Sequence, residues 1–344
     1  MFRKILAFCL ILVLAACGIQ PTPHPSPTPF IGAPHPLIID TDMAADDWMA
    51  ILYLLNRPDV SVKAITVTGT GEAHCEPGVK HALSLAALAG QPDIPVSCGR
   101  ETPLQGNHAF PSDWRTEVDA LSGLTLPDSS ASPSPQPAVE LLTATIQSSP
   151  DKVTILTLGP LTNPAEALQA SPQIKDKIEM IYSMGGAVDV SGNVGNSGVG
   201  INNPFAEWNI FVDPHAASLV FKSGAPITLV PLDTTNHVPV TKDFFERLKD
   251  NRTTPEAAFV FDLLTHYYDF IQSGGYYFWD PLAAAILTDN SLAIFETRAL
   301  IVIEEEGNES GRTQVSENGA PIRVAVNADG KLFERLFLDT LNIP

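Results

Sequence analysis

Four aspartates, Asp40, Asp42, Asp46 and Asp47, fall within the segment LIIDTDMAADDWMAILYLL. Carboxylates this close repel unless a proton, a basic partner or a metal ion neutralises them. An acidic first helical turn accounts for one or two of them, because helix N-termini favour carboxylates. It does not account for four. An oxygen-rich cluster suits a hard cation such as Ca²⁺, which takes about 6–8 oxygen ligands. Few His or Cys residues accompany the cluster, which argues against zinc. Asp40 sits at the strand end and is expected only to brace the loop.

The cluster lies between an apolar run, Leu37–Ile39, and an apolar segment with helical spacing. The same alternation continues along the chain. Strands are expected at LIID, VKAITVTG, IPVSC, VTILTLG, IEMIYSMGG and PITLVPLD, with helical patterns between them. This predicts an α/β fold with a mostly parallel central sheet and helices on both faces. ALIVIEEE, RTQVSE and APIRVAVNA suggest a small C-terminal antiparallel addition, and TPEAAFVFDLLTHYYDFIQ a long helix. In such folds ligands bind at the C-terminal ends of the strands. Chemistry is therefore sought just after each apolar run.

The chain has 344 residues, 44% hydrophobic, enough for a sizeable core. Its net charge of −19 excludes a charge-driven nucleic-acid partner. MFRK followed by ILAFCLILVLAA and LAACG resembles a bacterial lipoprotein signal. It implies removal of residues 1–16 and lipidation of Cys17, so that the protein is anchored in the cell envelope. The anchor would lie on the outer side of the cytoplasmic membrane or in the outer membrane. Residues 17–36 are dense in proline and read as an extended tether. Residues 37–344 show no strong internal boundary and are expected to form one domain. Cys75 and Cys98 remain, either as a disulfide or as two buried thiols.

Further motifs follow the later strands: LGPLTNP (158–164), MGGA (184–187), FAEWNIFVDP (205–214) and WDPLAAA (279–285). Together with DTDMAADD, in this order, they resemble the inosine–uridine-preferring nucleoside hydrolases. The resemblance implies calcium-dependent cleavage of N-ribosides, with Asp42, Asp47, Asp280 and the backbone carbonyl of Thr162 as metal ligands. It implies that Asp42 is also the base that activates the attacking water. Asp46, Met184, Glu207 and Asn209 match ribose contacts. Asn202 or its neighbour Asn203 matches the contact to the 5′-hydroxyl.

Three positions depart from the family pattern. Met43-Ala44 replaces the usual Pro-Gly, Gly69-Thr70 replaces Gly-Asn, and Trp279 stands where a histidine acid is common. Tryptophan cannot donate a useful proton to a leaving base, but it can stack on one. A purine-specific branch of the family has Trp-Asp here and holds the base between two tryptophans. Trp114, in NHAFPSDWR, supplies the second, and Glu72 lies near an acidic base contact of that branch. His74, His81 and His108 are not needed.

These residues lead to the expectation of a purine ribonucleoside hydrolase with a small-molecule substrate, possible self-association and a lipid anchor. The alternatives are a hydrolase of pyrimidine or other ribosides, and a lipid-anchored protein that binds nucleosides without cleaving them. A phosphohydrolase built on the DTD motif would need basic residues beside the motifs, and none is present.

Overall fold

Alternating apolar residues on both faces of each strand build a sheet covered by helices on either side. The computed structural model describes residues 33–343. Its strands are β1 (His35–Thr41), β2 (Val60–Val67), β3 (Val96–Cys98), β4 (Val153–Thr157), β5 (Ile178–Met184), β6 (Ile227–Val230), β7 (Ala293–Val302), β8 (Thr313–Val315) and β9 (Ala320–Ala328). They form a nine-stranded sheet in the order β3-β2-β1-β4-β5-β6-β9-β7-β8. β1 to β6 pair in parallel with their neighbours. β9 joins β6 in parallel, and only β7 runs against β9 and β8. The expected C-terminal addition is thus a continuation of the same sheet.

β1 shows how the sequence creates two layers. Leu37 and Ile39 pack with Trp48 and Leu282, while Ile38 packs with Ile155 and Ile181 on the other face. Strands buried on both faces read as continuous apolar runs. The chain leaves β1 toward β2 and β3 on one side, then returns to β4 on the other. This reversal opens a crevice beyond the C-terminal ends of β1 and β4.

The helix Ala45–Leu55 follows β1 and packs against the helix Trp279–Thr288. Their N-terminal turns meet above the crevice, one carrying Asp46 and Asp47 and the other Asp280. Helix packing thereby brings together carboxylates more than 230 residues apart in sequence.

Several expectations change. The first strand begins at His35, inside the predicted tether, because His35 pairs with Val60. The long helix breaks at Tyr267 into Pro255–His266 and Tyr268–Gln272. Tyr267 is held there by a 2.9 Å hydrogen bond with Ser122 and by stacking on Tyr276. Trp114 lies on a helix, Ser112–Asp119, rather than a loop. Cys75 and Cys98 form a disulfide between the helix Cys75–Leu88 and the end of β3. Cys17, residues 1–16 and tether residues 17–32 lie outside the described residues. Among the described residues no helix is long and apolar enough to cross a membrane.

Candidate active site

Asp42 emerges from β1 directly into the crevice and is almost wholly buried, at 1% exposure. The next residue, Met43, takes a left-handed backbone with φ of 59°. That conformation costs a residue with a Cβ about 1–2 kcal/mol. Here it is fastened: the Met43 amide donates to Thr41 Oγ1 at 3.0 Å, and Trp48 Nε1 donates to the Met43 carbonyl at 3.0 Å. Two glycines press on Asp42. A Cβ on Gly71 would lie 2.0 Å from Asp42 Cβ, and one on Gly159 would lie 2.5 Å from it. Only glycine lets the backbones after β2 and β4 approach so closely. The Glu72 amide then donates to Asp42 Oδ2 at 3.2 Å.

Asp46, Asp47 and Asp280 each bring an oxygen within 4.8 Å of the others. Asp47 Oδ1 accepts from the Thr41 hydroxyl and from the amides of Asp42 (3.2 Å) and Met43 (3.3 Å). Its other oxygen, Oδ2, and Asp280 Oδ1 are buried without a protein partner. Buried polar atoms are normally hydrogen-bonded, so two orphans aimed into one cluster call for a ligand. Burial pushes Asp47 up to about 7, and Asp46 adds to this. Burial likewise raises Asp46 to about 6. It raises Asp42 and Asp280 well above the carboxylate range, with neighbouring aspartates adding to both. The donor set is all oxygen and strongly acidic, which fits a hard divalent cation.

The predicted ribose contact Asp46 stands in one cluster with Asp47 and Asp280, and Asp42 lines the same cavity. Thr162, predicted to offer its backbone carbonyl, is not among the residues that line the cavity, and its hydroxyl is turned inward, donating to Asp213 at 2.9 Å and pairing with Thr70 at 3.0 Å. From the β4 loop it is Leu158 that reaches the cavity. Thr70 faces away from the crevice for the same reason. Asp40, the predicted brace, accepts from Thr66 Oγ1 at 2.5 Å and from Asn163 Nδ2 at 2.8 Å, tying β1 to β2 and to the helix Thr162–Ala170.

Glu207, Asn209 and Met184 line the same cavity. Glu207 caps the short helix Trp208–Val212, accepting from the Asn209 amide at 2.9 Å, and also accepts from the Gly186 amide at 2.9 Å. Asn209 Nδ2 donates to the carbonyls of Leu158 (3.3 Å) and Met184 (3.2 Å), joining the ends of β4 and β5. Its donor is thus spent on the scaffold and its carbonyl oxygen remains. Asn202 is exposed and outside the cavity, and Asn203 is buried with its amide on the Ser310 carbonyl at 2.7 Å. Asn193 lines the cavity instead, its Oδ1 accepting from the Trp208 amide at 3.1 Å. Sequence reasoning missed it because the loop after Asn193 makes a long excursion before Glu207. The signal was its place soon after MGGA.

The whole cavity, carboxylates included, measures about 820 Å³, and its lining also contains Trp114, Trp279, Tyr267, Tyr276 and Glu72. That volume accommodates a nucleoside-sized molecule. Trp114 leans on Trp208 with ring centres 5.4 Å apart, and Trp279 meets Tyr276 edge-on at 5.6 Å.

Comparison with known proteins decides what this arrangement belongs to. The pattern of the inosine-uridine preferring nucleoside hydrolases matches residues 37–335. The chain belongs to this family. The hydrolase is 33% identical over 291 residues to uridine nucleosidase 1 of Arabidopsis thaliana, covering 83% of each chain. Its fold superposes on a plant nucleoside hydrolase with a TM-score of 0.81 and 30% identity, over 90% of this chain and 100% of that one. A purine-preferring ribonucleoside hydrolase from Gardnerella vaginalis gives 0.78 and 28%, over 89% and 98%. As a family member the protein is an enzyme that hydrolyses N-glycosyl bonds of ribonucleosides.

Proposed function

We propose that this hydrolase cleaves purine ribonucleosides to ribose and free base with the help of calcium. The observation that carries the purine preference is the presence of both Trp114 and Trp279 in the one cavity that also holds the aspartate cluster. Large flat bases gain most from stacking between aromatic faces.

Asp42, Asp47 and Asp280 would hold the cation, joined by the backbone of Leu158. Bound calcium supplies positive charge that eases removal of a proton from water. Asp42, fixed by Gly71 and Gly159, takes that proton as the oxygen attacks C1′. The C1′–N bond breaks, its electron pair goes to the base, the base takes a proton from solvent, and Asp42 returns its own proton to solvent. Positive charge builds on the ribose ring as the base leaves, as in other glycoside cleavages, and Asp46 and Glu207 stand where they oppose it. Asn209 Oδ1 and Asn193 grip the hydroxyls. The vicinal hydroxyls of ribose would offer the cation further oxygens, which would favour ribosides over 2′-deoxyribosides.

A pyrimidine preference is the second reading, favoured by the names of relatives such as uridine nucleosidase 1 and a pyrimidine-specific hydrolase of Shewanella oneidensis. Ribose release from inosine, guanosine, adenosine, uridine and cytidine, with and without a chelator, separates the two. Purines are expected to be cleaved best, with activity lost to the chelator and restored by calcium. Uridine cleaved faster than every purine would overturn the purine reading.

The lipoprotein signal further suggests that the enzyme works outside the cytoplasm, anchored through Cys17. The Cys75–Cys98 disulfide supports an oxidising compartment. Labelling of the protein by a radioactive fatty acid, abolished in Cys17→Ala, is the expected result.

A further inference from the structure

The loop after β2 holds Asp42 in place. Gly71 packs on its Cβ, and the Glu72 amide donates to its Oδ2 at 3.2 Å. The Ala73 amide donates to the Asp42 carbonyl at 2.9 Å. Three consecutive residues thus bear on Asp42, all through the backbone. Where this loop sits decides where Asp42 sits.

Two devices fix the loop. The first is the helix Ser112–Asp119. From it Arg115 donates to the carbonyls of Gly69 (3.1 Å), Glu72 (3.4 Å) and Ala73 (3.5 Å), and Asp119 accepts from the His74 amide at 2.9 Å. The second is the Cys75–Cys98 disulfide. Cys75 ends the loop and opens the helix Cys75–Leu88. Its sulfur lies against Gly69, where a Cβ would stand 2.8 Å from it. Cys98 ends β3, an edge strand of three residues. Among the described residues β3 pairs with no strand but β2. So short a ladder holds its end weakly, and the cross-link ties the loop to it covalently.

The same disulfide is within reach of solvent. Both cysteines are half-buried and line a second cavity, of about 720 Å³, between the helix Cys75–Leu88 and the stretch from Asp128 to Pro137. Exposed disulfides are the ones that exchange with external thiols.

We propose that this cross-link is a redox latch on Asp42: turnover is full only while Cys75 and Cys98 are joined, and a dithiol that enters the second cavity lowers kcat reversibly without unfolding the chain. The proposal rests on the hydrolase reading above and concerns the regulation of that site. The dithiol supplies the electrons. One of its thiolate sulfurs bonds to one Sγ of the pair, the S–S bond breaks, and the other cysteine leaves as a thiolate that takes a proton from water. The second sulfur of the dithiol then displaces the first cysteine in the same way. The dithiol is oxidised to a disulfide, and the protein gains two thiols. Arg115 and Asp119 keep their grip, so the loop shifts rather than falls away. Thiols persist in reducing surroundings and disulfides in oxidising ones. The hydrolase would therefore stay slow until the export that the lipoprotein signal implies.

The test uses the full chain with calcium in excess. The enzyme is treated with dithiothreitol, free thiols at Cys75 and Cys98 are verified by alkylation and mass spectrometry, and ribose release is followed on the nucleoside that is cleaved best. kcat is expected to fall about tenfold, as small misplacements of a reacting group allow, with a smaller change in KM and a native circular dichroism spectrum. It is expected to return on reoxidation. The double variant Cys75→Ser/Cys98→Ser is expected to show the low kcat without reagent and no further response to it, which separates the latch from capture of calcium by the dithiol. Unchanged kcat in the reduced enzyme or in the double variant overturns the proposal. So does a loss carried by KM alone, or one accompanied by unfolding, since the disulfide would then hold something other than Asp42. An oxidised enzyme that releases ribose from no nucleoside would instead overturn the proposed function itself.

Discussion

At the scale of the residue, the site is a contest between carboxylates that must be charged and an interior that resists charge. Asp42 is the test case. Asp42→Asn keeps the shape between Gly71 and Gly159 but cannot take a proton, so kcat should fall by about a hundred- to ten-thousand-fold. Calorimetric titration with calcium should still register binding, since Asp47 and Asp280 retain their unpartnered oxygens. Loss of binding together with activity would make Asp42 a ligand only. Asn193 tests the sugar grip separately. Asn193→Ala should raise KM for the nucleoside about tenfold, the cost of roughly one lost hydrogen bond, with a smaller effect on kcat. Asn202→Ala, on the exposed loop, should leave both constants as they were.

At the scale of the element, two backbone approaches hold Asp42, and each depends on glycine. Gly159→Ala would drive a Cβ into the aspartate, and the side chain must move. Activity should fall at least tenfold, since small misplacements of catalytic groups are costly, while the circular dichroism spectrum stays native. The loop that carries Gly71 and Glu72 is anchored twice, by Arg115 on the helix Ser112–Asp119 and by the Cys75–Cys98 disulfide. Replacing both cysteines by serine should lower stability by about 2–4 kcal/mol in denaturant unfolding. These elements were legible in sequence to different degrees. The parallel strands announce themselves because both faces are apolar, and Asp42, Asp47 and Asp280 because their motifs are short and rigidly spaced. Trp114 was legible as a residue but not as part of a helix, since SDWRTEVD has almost no apolar face and is held by tertiary contacts. Thr162 and Asn202 do not line the cavity, for a shared reason. A loop motif fixes which residues are present, whereas the direction each one faces is set by partners far away in sequence: Asp213 and Thr70 for Thr162, and the excursion after Asn193 for Asn202.

At the scale of the whole molecule, two helix N-termini are packed so that their acids meet over the switch point of the sheet. Burial raises the carboxyls there, Asp46 to about 6 and Asp47 to about 7 from an ordinary value of 3.8. The sign of the consequence follows from linkage. A carboxyl with a raised folded pKa holds its proton more tightly in the folded chain than in the unfolded one, so folded protein binds more protons between the two values. Stability therefore falls as pH rises through this window. Asp40, raised to about 7 by its burial between β1 and β2, contributes in the same sense. The metal-free enzyme should then lose thermal stability as pH rises from about 4 to about 7, opposite to the usual behaviour of salt-bridged aspartates. Calcium should reverse the trend, because the cation replaces the protons and binds only the folded arrangement. Differential scanning calorimetry of the chelator-treated protein across this range, repeated with calcium, measures both slopes. The gain in Tm from calcium should be small near pH 4 and largest at and above pH 7. A gain independent of pH would mean that calcium binds elsewhere than at the cluster of Asp42, Asp47 and Asp280.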